Sequence, residues 1–179
     1  MHLPVMPPVL PMLAKSAAGI PEPSKFAGGL SFEPKWDGFR CLVFKDGDEV
    51  ELASRNTKPL TRYFPEVVAA LRDCLPDRVV LDGEIFVATG DRLDFEVLQE
   101  RIHPAASRIA MLSTKTPAQY VAFDLLAIGE EDVMALPFAQ RRARLVEIMT
   151  AASAVVHVTR TTTDPAQAQL WFETFEGAG

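Results

Sequence analysis

Hydrophobic and polar residues alternate on both sides of Asp46-Gly47, a dipeptide that favours the tight turn of a β-hairpin. A two-residue turn at this dipeptide would place Lys45 opposite Asp48. Because side chains alternate between the two faces of a strand, this register gives the hairpin one apolar face. That face is formed by Cys41, Val43, Val50 and Leu52.

The same register brings two arginines to the other face, where Gly38 lies opposite Arg55 and Arg40 lies nearby. An arginine binds phosphate oxygens through two parallel N–H donors, so a pair of arginines predicts an anion site. The alternative is that both are solvated charges at strand ends, and their shared face argues against it.

A lysine interrupts the apolar stretch before the hairpin, in the octapeptide Glu33-Pro34-Lys35-Trp36-Asp37-Gly38-Phe39-Arg40. Apolar residues on both sides predict a strand, a tight loop and a second strand, with Asp37-Gly38 as the turn. Partial desolvation in such a loop favours loss of the lysine proton and makes the amine a nucleophile. The alternative is an ordinary lysine in a surface turn, because short motifs often match by chance.

Two later segments are predicted strands with polar or aromatic residues of interest. Residues 79–87 have a core face at their odd positions, with Asp82 and Glu84 together on the opposite face. Carboxylates in such a strand need a metal, cations or ligand hydroxyls, unless the strand lies at a solvated sheet edge. Residues 120–128 form a buried strand interrupted by an aspartate, and Phe123 in it is either a core residue or a stacking platform.

Apolar residues at helical spacing predict four helices, and a further short strand is predicted at 155–159. The helices cover 62–75, 94–102, 137–151 and a segment from Asp164 to Gly177. Predicted details are a buried stripe of Phe95, Leu98 and Ile102, a solvent-facing side with Arg141, Arg142 and Arg144, and a buried face drawn from Leu170, Trp171, Phe172 and Phe175. Basic residues within 101–115 predict either a solvated loop or a nucleic-acid patch.

Composition adds limits to this α+β pattern. A chain of 179 residues with 48% apolar and 23% charged residues fits one globular domain. The net charge of −6 excludes a chain that binds polyanions over its whole surface. Two cysteines without a CxxC pair predict reduced core residues in a cytoplasmic protein, and no signal peptide, membrane span or histidine metal spacing is found.

Several ordered stretches resemble the motifs of covalent nucleotidyltransferases. The segment from Lys35 to Arg40 matches their K-x-D-G-x-R nucleophile motif, Ser54-Arg55-Asn56 their next motif, and 81–85 their D-G-E strand. Residues 120–126 are similar to the strand that supplies an adenine-stacking aromatic. The wider sequence resembles bacterial ATP-dependent DNA ligases of the repair or end-joining type over nearly the whole chain.

The resemblance implies a role for each matching residue. Lys35 is expected to attack the α-phosphate of ATP and to form lysyl–AMP with release of pyrophosphate. Glu33, Pro34 and the neighbouring backbone are expected to recognise adenine, while Phe123 stacks on the ring. The remaining expectations concern phosphate, ribose and metal: Arg40 and Arg55 hold ribose and phosphate oxygens, Glu84 meets the ribose or a divalent metal, and Asp37 approaches the metal, Mg²⁺ or Mn²⁺.

The resemblance also implies a fold and its limits. We expect an α+β nucleotidyltransferase (ATP-grasp-like) domain of antiparallel sheets flanked by helices, incomplete at its C-terminus. Residues 1–29 are an expected N-terminal arm packed on the domain, and 30–179 a partial adenylation domain that stops before two further motifs and the OB-fold. The chain departs from many relatives at Thr57, where they have glycine.

The expected partner is nicked or broken duplex DNA in the full-length protein, bound weakly or not at all by this chain, in the bacterial cytoplasm at the nucleoid. Exposed strand edges predict self-association. One alternative function is an RNA-capping or RNA-ligating nucleotidyltransferase. A second is an inactive remnant that binds a nucleotide or a protein.

Overall fold

The strands form a six-stranded mixed sheet, with helices packed against it, and a separate two-stranded antiparallel sheet made by the fourth and fifth strands. The computed structural model describes residues 1–103, 105–150 and 153–175. The strands are β1 (Phe39–Asp46), β2 (Glu49–Ser54), β3 (Arg78–Phe86), β4 (Ala88–Thr89), β5 (Arg92–Leu93), β6 (Gln119–Ile128), β7 (Glu131–Asp132) and β8 (Val156–Val158). The helices are α1 (Pro65–Cys74), α2 (Phe95–Gln99), α3 (Ala106–Lys115), α4 (Phe138–Ile148) and α5 (Pro165–Phe175).

The sheet has the order β2-β1-β3-β6-β7, and β8 pairs with β6 on the same side as β7. All its pairs are antiparallel except β6 with β8, which is parallel. The predicted α+β class with antiparallel pairing and flanking helices is therefore confirmed. Because β3 lies between β1 and β6, the alternative of an edge strand with a solvated acidic face is wrong.

The hairpin is present, but its predicted register is wrong by two residues. The turn is Gly47-Asp48, and Asp46 pairs with Glu49, so Lys45 lies opposite Val50. Gly47 has a φ of +59°, which fits the first position of a turn whose twist matches the strands. An even shift keeps every side chain on its predicted face, so the apolar face of β1 and β2 still enters the core.

The two faces of the sheet support different structures. One face packs against α1 and α4 in the main core, whose largest fully buried members include Phe64, Leu71, Leu81, Tyr120 and Leu145. The other face carries a smaller cluster in which Leu3 and Val5 of the N-terminal segment pack with Leu42, Phe44 and Val80. Further along that segment, Leu10, Met12 and Leu13 are exposed.

The predicted helices are found, but some of their faces are not as expected. Ile102 and, on α5, Leu170 and Phe172 are 43%, 56% and 54% exposed. Residues 106–115 form α3 rather than a loop. Arg101 is fully buried against Glu66 and therefore belongs to no surface patch.

The basic side of α4 also differs from the prediction. Arg141 turns inward to pair with Asp124, and Arg142 donates to the carbonyl of Thr159. The predicted helix end at Gly177 lies outside the described residues, as does the side chain of Phe175. Within the part of the chain that the structure describes, no helix combines the length and apolar character needed to cross a bilayer.

Candidate active site

An open cleft of about 700 Å³ lies where β1 begins and β2 ends. It is lined by residues 38–40, 54–56 and 58–60 together with Tyr63, Glu84 and Ile102. Three of its lining side chains are cationic, namely Arg40, Arg55 and Lys58, and Glu84 is the acidic one. A chain with a net charge of −6 thus concentrates positive charge in one concave surface, which favours an anionic ligand.

Strand pairing brings Arg40 and two carboxylates together. Arg40 lies opposite Glu84 in the β1–β3 ladder, and its guanidinium donates to Asp82 from Nε to Oδ1 at 2.7 Å and from Nη2 to Oδ2 at 2.6 Å. Asp82 is buried, and these bonds raise the pKa of Arg40. A guanidinium held at two points has a fixed direction, so its position in the cleft is preset. The role of Asp82 as an anchor for Arg40 was not predicted.

Glu84 is turned toward the nucleophile motif. Its Oε1 accepts a hydrogen bond from the backbone N–H of Gly38 at 3.1 Å. Burial raises the pKa of Glu84 to about 7, although the positive charges of Arg40 and Lys35 act in the opposite direction. The carboxyl therefore titrates near neutral pH, where it can respond to a bound cation or hydroxyl.

The glycines of the two motifs are required by packing rather than by turn geometry. A Cβ at Gly38 would lie 2.2 Å from the carbonyl oxygen of Ile85, and one at Gly83 would lie 2.3 Å from that of Val121. Neither glycine has a positive φ. The chain does bend at Gly38, but the expectation that glycine serves an unusual backbone conformation there is wrong, because its missing side chain instead lets the loop lie directly on β3.

The loop from Glu33 to Asp37 is held at a few points. A two-bond backbone bridge joins Phe32 to Thr162, so the strand predicted before the loop is reduced to one residue pair. Trp36 stacks on Phe86 with ring centroids 5.0 Å apart, and its Nε1 donates to Thr159 Oγ1 at 2.9 Å. Lys35 itself is exposed, so the expectation that burial would desolvate it is wrong for this structure.

Phe123 reaches the site through an irregularity of β6. Asp82 pairs with Asp124 and Gly83 pairs with Ala122, so Phe123 is an extra residue in a β-bulge. Bulges redirect side chains and are common beside active sites. The Arg40 guanidinium lies over the Phe123 ring, 4.7 Å from its centroid. Phe123 is thus part of the charged site rather than a pure core residue.

Of the other predicted residues, Arg55 lines the cleft, whereas Glu33, Pro34 and Asp37 belong to the neighbouring loop and are not among the lining residues. Glu33 is an exposed residue, yet desolvation of its carboxyl by the surrounding protein raises its pKa to about 7, and the charge of Arg142 opposes this shift. Pro34 is half-buried, and Asp37 and Arg55 are exposed. Three residues near the site were not predicted as site residues, namely Arg142, Lys58 and Thr159. Arg142 and Thr159 are far from the loop in the sequence, and only folding brings them to it.

The carboxylates were also tested as a metal site. Among the described residues, no group of three or more His, Cys, Asp or Glu side chains is placed to hold an ion by itself. Mg²⁺ commonly uses one or two carboxylates and completes its shell with phosphate oxygens and water. The oxygen donors of Asp37 and Glu84 fit that mode of binding.

The fold and the cleft define a nucleotide-binding α+β domain, and comparison with known proteins gives its family. The chain belongs to the ATP-dependent DNA ligases, since the family model described as "ATP dependent DNA ligase domain" matches residues 11–179. The predicted resemblance is confirmed.

Relatives and solved structures agree with this assignment. The chain is 58% identical to DNA ligase C of Mycobacterium tuberculosis and 56% identical to DNA ligase C2 of Mycolicibacterium smegmatis. Each alignment covers 100% of this chain and 49% of the relative, so the chain spans about half the length of these proteins. The crystal structure of the ligase domain of M. tuberculosis LigD matches 82% of this chain and 44% of that chain, with a TM-score of 0.61 and 29% identity. A mycobacterial DNA ligase D complexed with ATP and MES matches 82% of this chain and 44% of its own, with a TM-score of 0.59 and 27% identity.

Proposed function

We propose that this chain carries out the first step of DNA ligation, the transfer of AMP from ATP to Lys35. The observation that supports it best is the cleft in which the β1–β3 pairing sets Arg40 and Glu84 beside the nucleophile loop. A bound triphosphate would meet three cations there, and the amine of Lys35, in the loop that precedes the cleft residues, is exposed to solvent.

In this reaction the exposed Lys35 ammonium gives a proton to solvent, the neutral amine attacks the α-phosphorus, and a second N–H proton passes to solvent or to the leaving pyrophosphate. A P–N bond forms, the bond from the α-phosphorus to the bridging oxygen breaks, and pyrophosphate leaves with the electron pair. Arg40 and Arg55 stabilise charge on the phosphate oxygens, which is the main source of catalysis in phosphoryl transfer. Arg40 keeps its direction through Asp82.

The nucleotide's other parts meet the rim of the cleft. We assign adenine recognition to Glu33 and Pro34, stacking to Phe123, and the ribose hydroxyls to Glu84. Asp37 and Glu84 would hold Mg²⁺ or Mn²⁺, which when bound neutralises phosphate charge and orients the leaving pyrophosphate. In a complete ligation reaction, the AMP group would then pass to a DNA 5′-phosphate, so nicked or broken duplex DNA in the bacterial cytoplasm, at the nucleoid, is the proposed final substrate.

The test is the intact mass of the chain before and after incubation with ATP and Mg²⁺. The expected gain is one AMP, absent in Lys35→Ala and retained in Lys25→Ala, which removes another exposed lysine. GTP in place of ATP should give no gain, and labelling by GTP alone would favour the capping-type alternative. A folded wild-type chain without any gain would contradict the proposal for this chain.

Self-association through a sheet edge needs free backbone groups. On β2, the N–H of Leu52 donates to Thr61 Oγ1, its carbonyl accepts from Leu60, and Ser54 donates to the carbonyl of Lys58. This edge is therefore largely occupied, and we propose that the chain does not associate through it. Light scattering across a range of concentrations should give a constant monomer mass, and a dimer that Leu52→Pro abolishes would contradict this.

A further inference from the structure

Thr159 lies at the junction of three parts of the fold and is 1% exposed. Its N–H donates to the carbonyl of Ala122 in β6 at 2.9 Å. Its carbonyl accepts from the Arg142 guanidinium of α4, and its Oγ1 accepts from Trp36 Nε1 at 2.9 Å. The residue that follows β8 thus ties the sheet, a helix and the nucleophile loop together.

The hydrogen bond to Trp36 is the direct link to the reactive lysine, since Trp36 follows Lys35 in the chain. Stacking on Phe86 fixes the plane of the indole, with 30° between the rings, and the bond to Thr159 fixes the indole's rotation within that plane. A ring held in both ways leaves the Lys35–Trp36 peptide little freedom.

Other supports of the loop are outside its centre. The bridge of Phe32 to Thr162 holds the loop's beginning, and the bond from Gly38 to Glu84 holds its end. Among the hydrogen bonds of the described residues, the bond from Trp36 to Thr159 is the only one made by residues 33–37. Removing it should free the segment that carries the nucleophile while leaving the cleft cations in place.

We propose that Thr159 is a positioning residue for the adenylation of Lys35, and that it acts through the indole of Trp36. This inference rests on the proposed function, because its catalytic readout is the lysyl–AMP reaction. The hydroxyl does not touch ATP. It sets where the Lys35 amine lies, so it should affect the rate of attack more than the binding of nucleotide.

The experiment compares Thr159→Val with Thr159→Ser in single-turnover adenylation at varied ATP concentration. Valine keeps the shape and removes the hydroxyl, and we expect the maximal rate to fall about 10- to 100-fold, as for a nucleophile displaced by about 1 Å. The ATP concentration at half-maximal rate should change by less than about twofold, because Arg40 and Arg55 are untouched. Serine restores the hydroxyl and should recover most of the rate.

Two further variants separate the proposed link from general damage. Trp36→Phe keeps an aromatic ring for Phe86 but lacks the indole N–H, so it should lower the rate as Thr159→Val does. The double variant should be no slower than either single one, because both remove the same bond. Thr116→Val removes a hydroxyl that bonds within its own helix turn and serves as the matched control with unchanged rate.

A second measurement does not depend on catalysis, so it tests the role of Thr159 even if the wild-type chain gains no AMP. The absence of that gain would count against the proposed function alone. In ¹⁵N-labelled protein, Thr159→Val should speed solvent exchange of the Trp36 indole N–H and lower the order of the Lys35 and Asp37 amides, whereas Thr159→Ser should not. Unchanged exchange and order in Thr159→Val would overturn the proposal, as would an unchanged adenylation rate.

Discussion

At the scale of the residue, three positions show how close packing and backbone conformation restrict which side chain can be present. Gly38 and Gly83 are needed because neighbouring backbone lies where a Cβ would be. Thr57 is the opposite case, since a β-branched residue adopts the left-handed region with a φ of +61°. Such a conformation costs an L-residue about 1–2 kcal/mol, and glycine would avoid that cost.

Thr57→Gly should therefore stabilise the chain. The relief of strain is partly offset by the greater freedom of glycine in the unfolded chain, so the expected gain is about 0.5–1 kcal/mol. Urea denaturation measures it. Ala110→Gly, at an exposed position in the interior of α3, is the control and should destabilise by about 1 kcal/mol. A loss of stability in Thr57→Gly would show that its hydroxyl contributes more than the strain.

The titration of Glu84 predicts a pH dependence of stability. Its folded pKa of about 7 lies above the ordinary value of 4.5, so between these values the folded chain holds a proton that the unfolded chain has released. The free energy of unfolding should fall as pH rises from about 4.5 to about 7 and should not fall further above that. After solvent screening, the fall is about 1–2 kcal/mol.

Glu84→Gln keeps an oxygen acceptor for Gly38 and removes the titration. Its unfolding free energy should be less dependent on pH than that of the wild type between pH 5 and 8, measured by urea denaturation at several pH values. Glu33 also has a raised pKa, but it titrates in both proteins, so its contribution cancels when the two pH profiles of unfolding free energy are compared. Parallel pH profiles for the two proteins would rule out the raised pKa of Glu84.

At the scale of the element, the sequence predicted which segments are strands and helices better than it predicted their exact alignment. The hairpin was found with its faces correct, because side-chain alternation survives a shift of two residues. The bulge at Phe123 was not foreseeable, since it depends on how β6 meets β3. The inward turn of Arg141 and Arg142 was missed for the same reason, because their acceptors lie on other elements.

A buried ion pair joins the elements beside the cleft. Arg101 donates to Glu66 from two nitrogens, at 2.6 Å and 3.0 Å, and also to the carbonyls of Tyr63 and Thr116. Glu66 in turn accepts from the N–H of Ala118. The fully buried guanidinium of Arg101 thus connects α1, α3 and the segment that enters β6.

Glu66→Gln should destabilise the chain by about 3 kcal/mol, because it leaves the Arg101 charge buried without its counter-ion. The matched control is Glu100→Gln, which breaks the exposed pair with Arg108 and should change stability by less than about 1 kcal/mol. Thermal or urea unfolding of both variants gives the comparison. Equal effects would mean that burial does not set the strength of the Arg101 pair.

At the scale of the whole molecule, the N-terminal segment completes the second face of the sheet. Leu3 and Val5 cover Leu42, Phe44 and Val80, which the rest of the chain leaves at the surface of that face. Composition predicted that this segment has apolar residues to bury, but not which ones: Leu3 and Val5 are buried on the sheet, and Met1 and Val9 pack against the same cluster and are partly exposed.

Leu3→Ala should destabilise the protein by about 2–3 kcal/mol, since Leu3 is 7% exposed and its loss leaves a cavity. Leu10→Ala removes the same side chain from a position that is 78% exposed, and it should change stability by less than about 0.5 kcal/mol. Chemical denaturation of the two variants measures the difference. Similar values would show that the segment is detached in solution.

The packing of Trp36 also gives the molecule a natural optical reporter. The chain has two tryptophans, and the second, Trp171, lies half-buried on α5. A Trp171→Phe variant therefore leaves one fluorophore, next to the reactive lysine and stacked on Phe86. Its emission follows the loop directly, so ordering of the loop by a nucleotide can be timed in a stopped-flow instrument without any added dye.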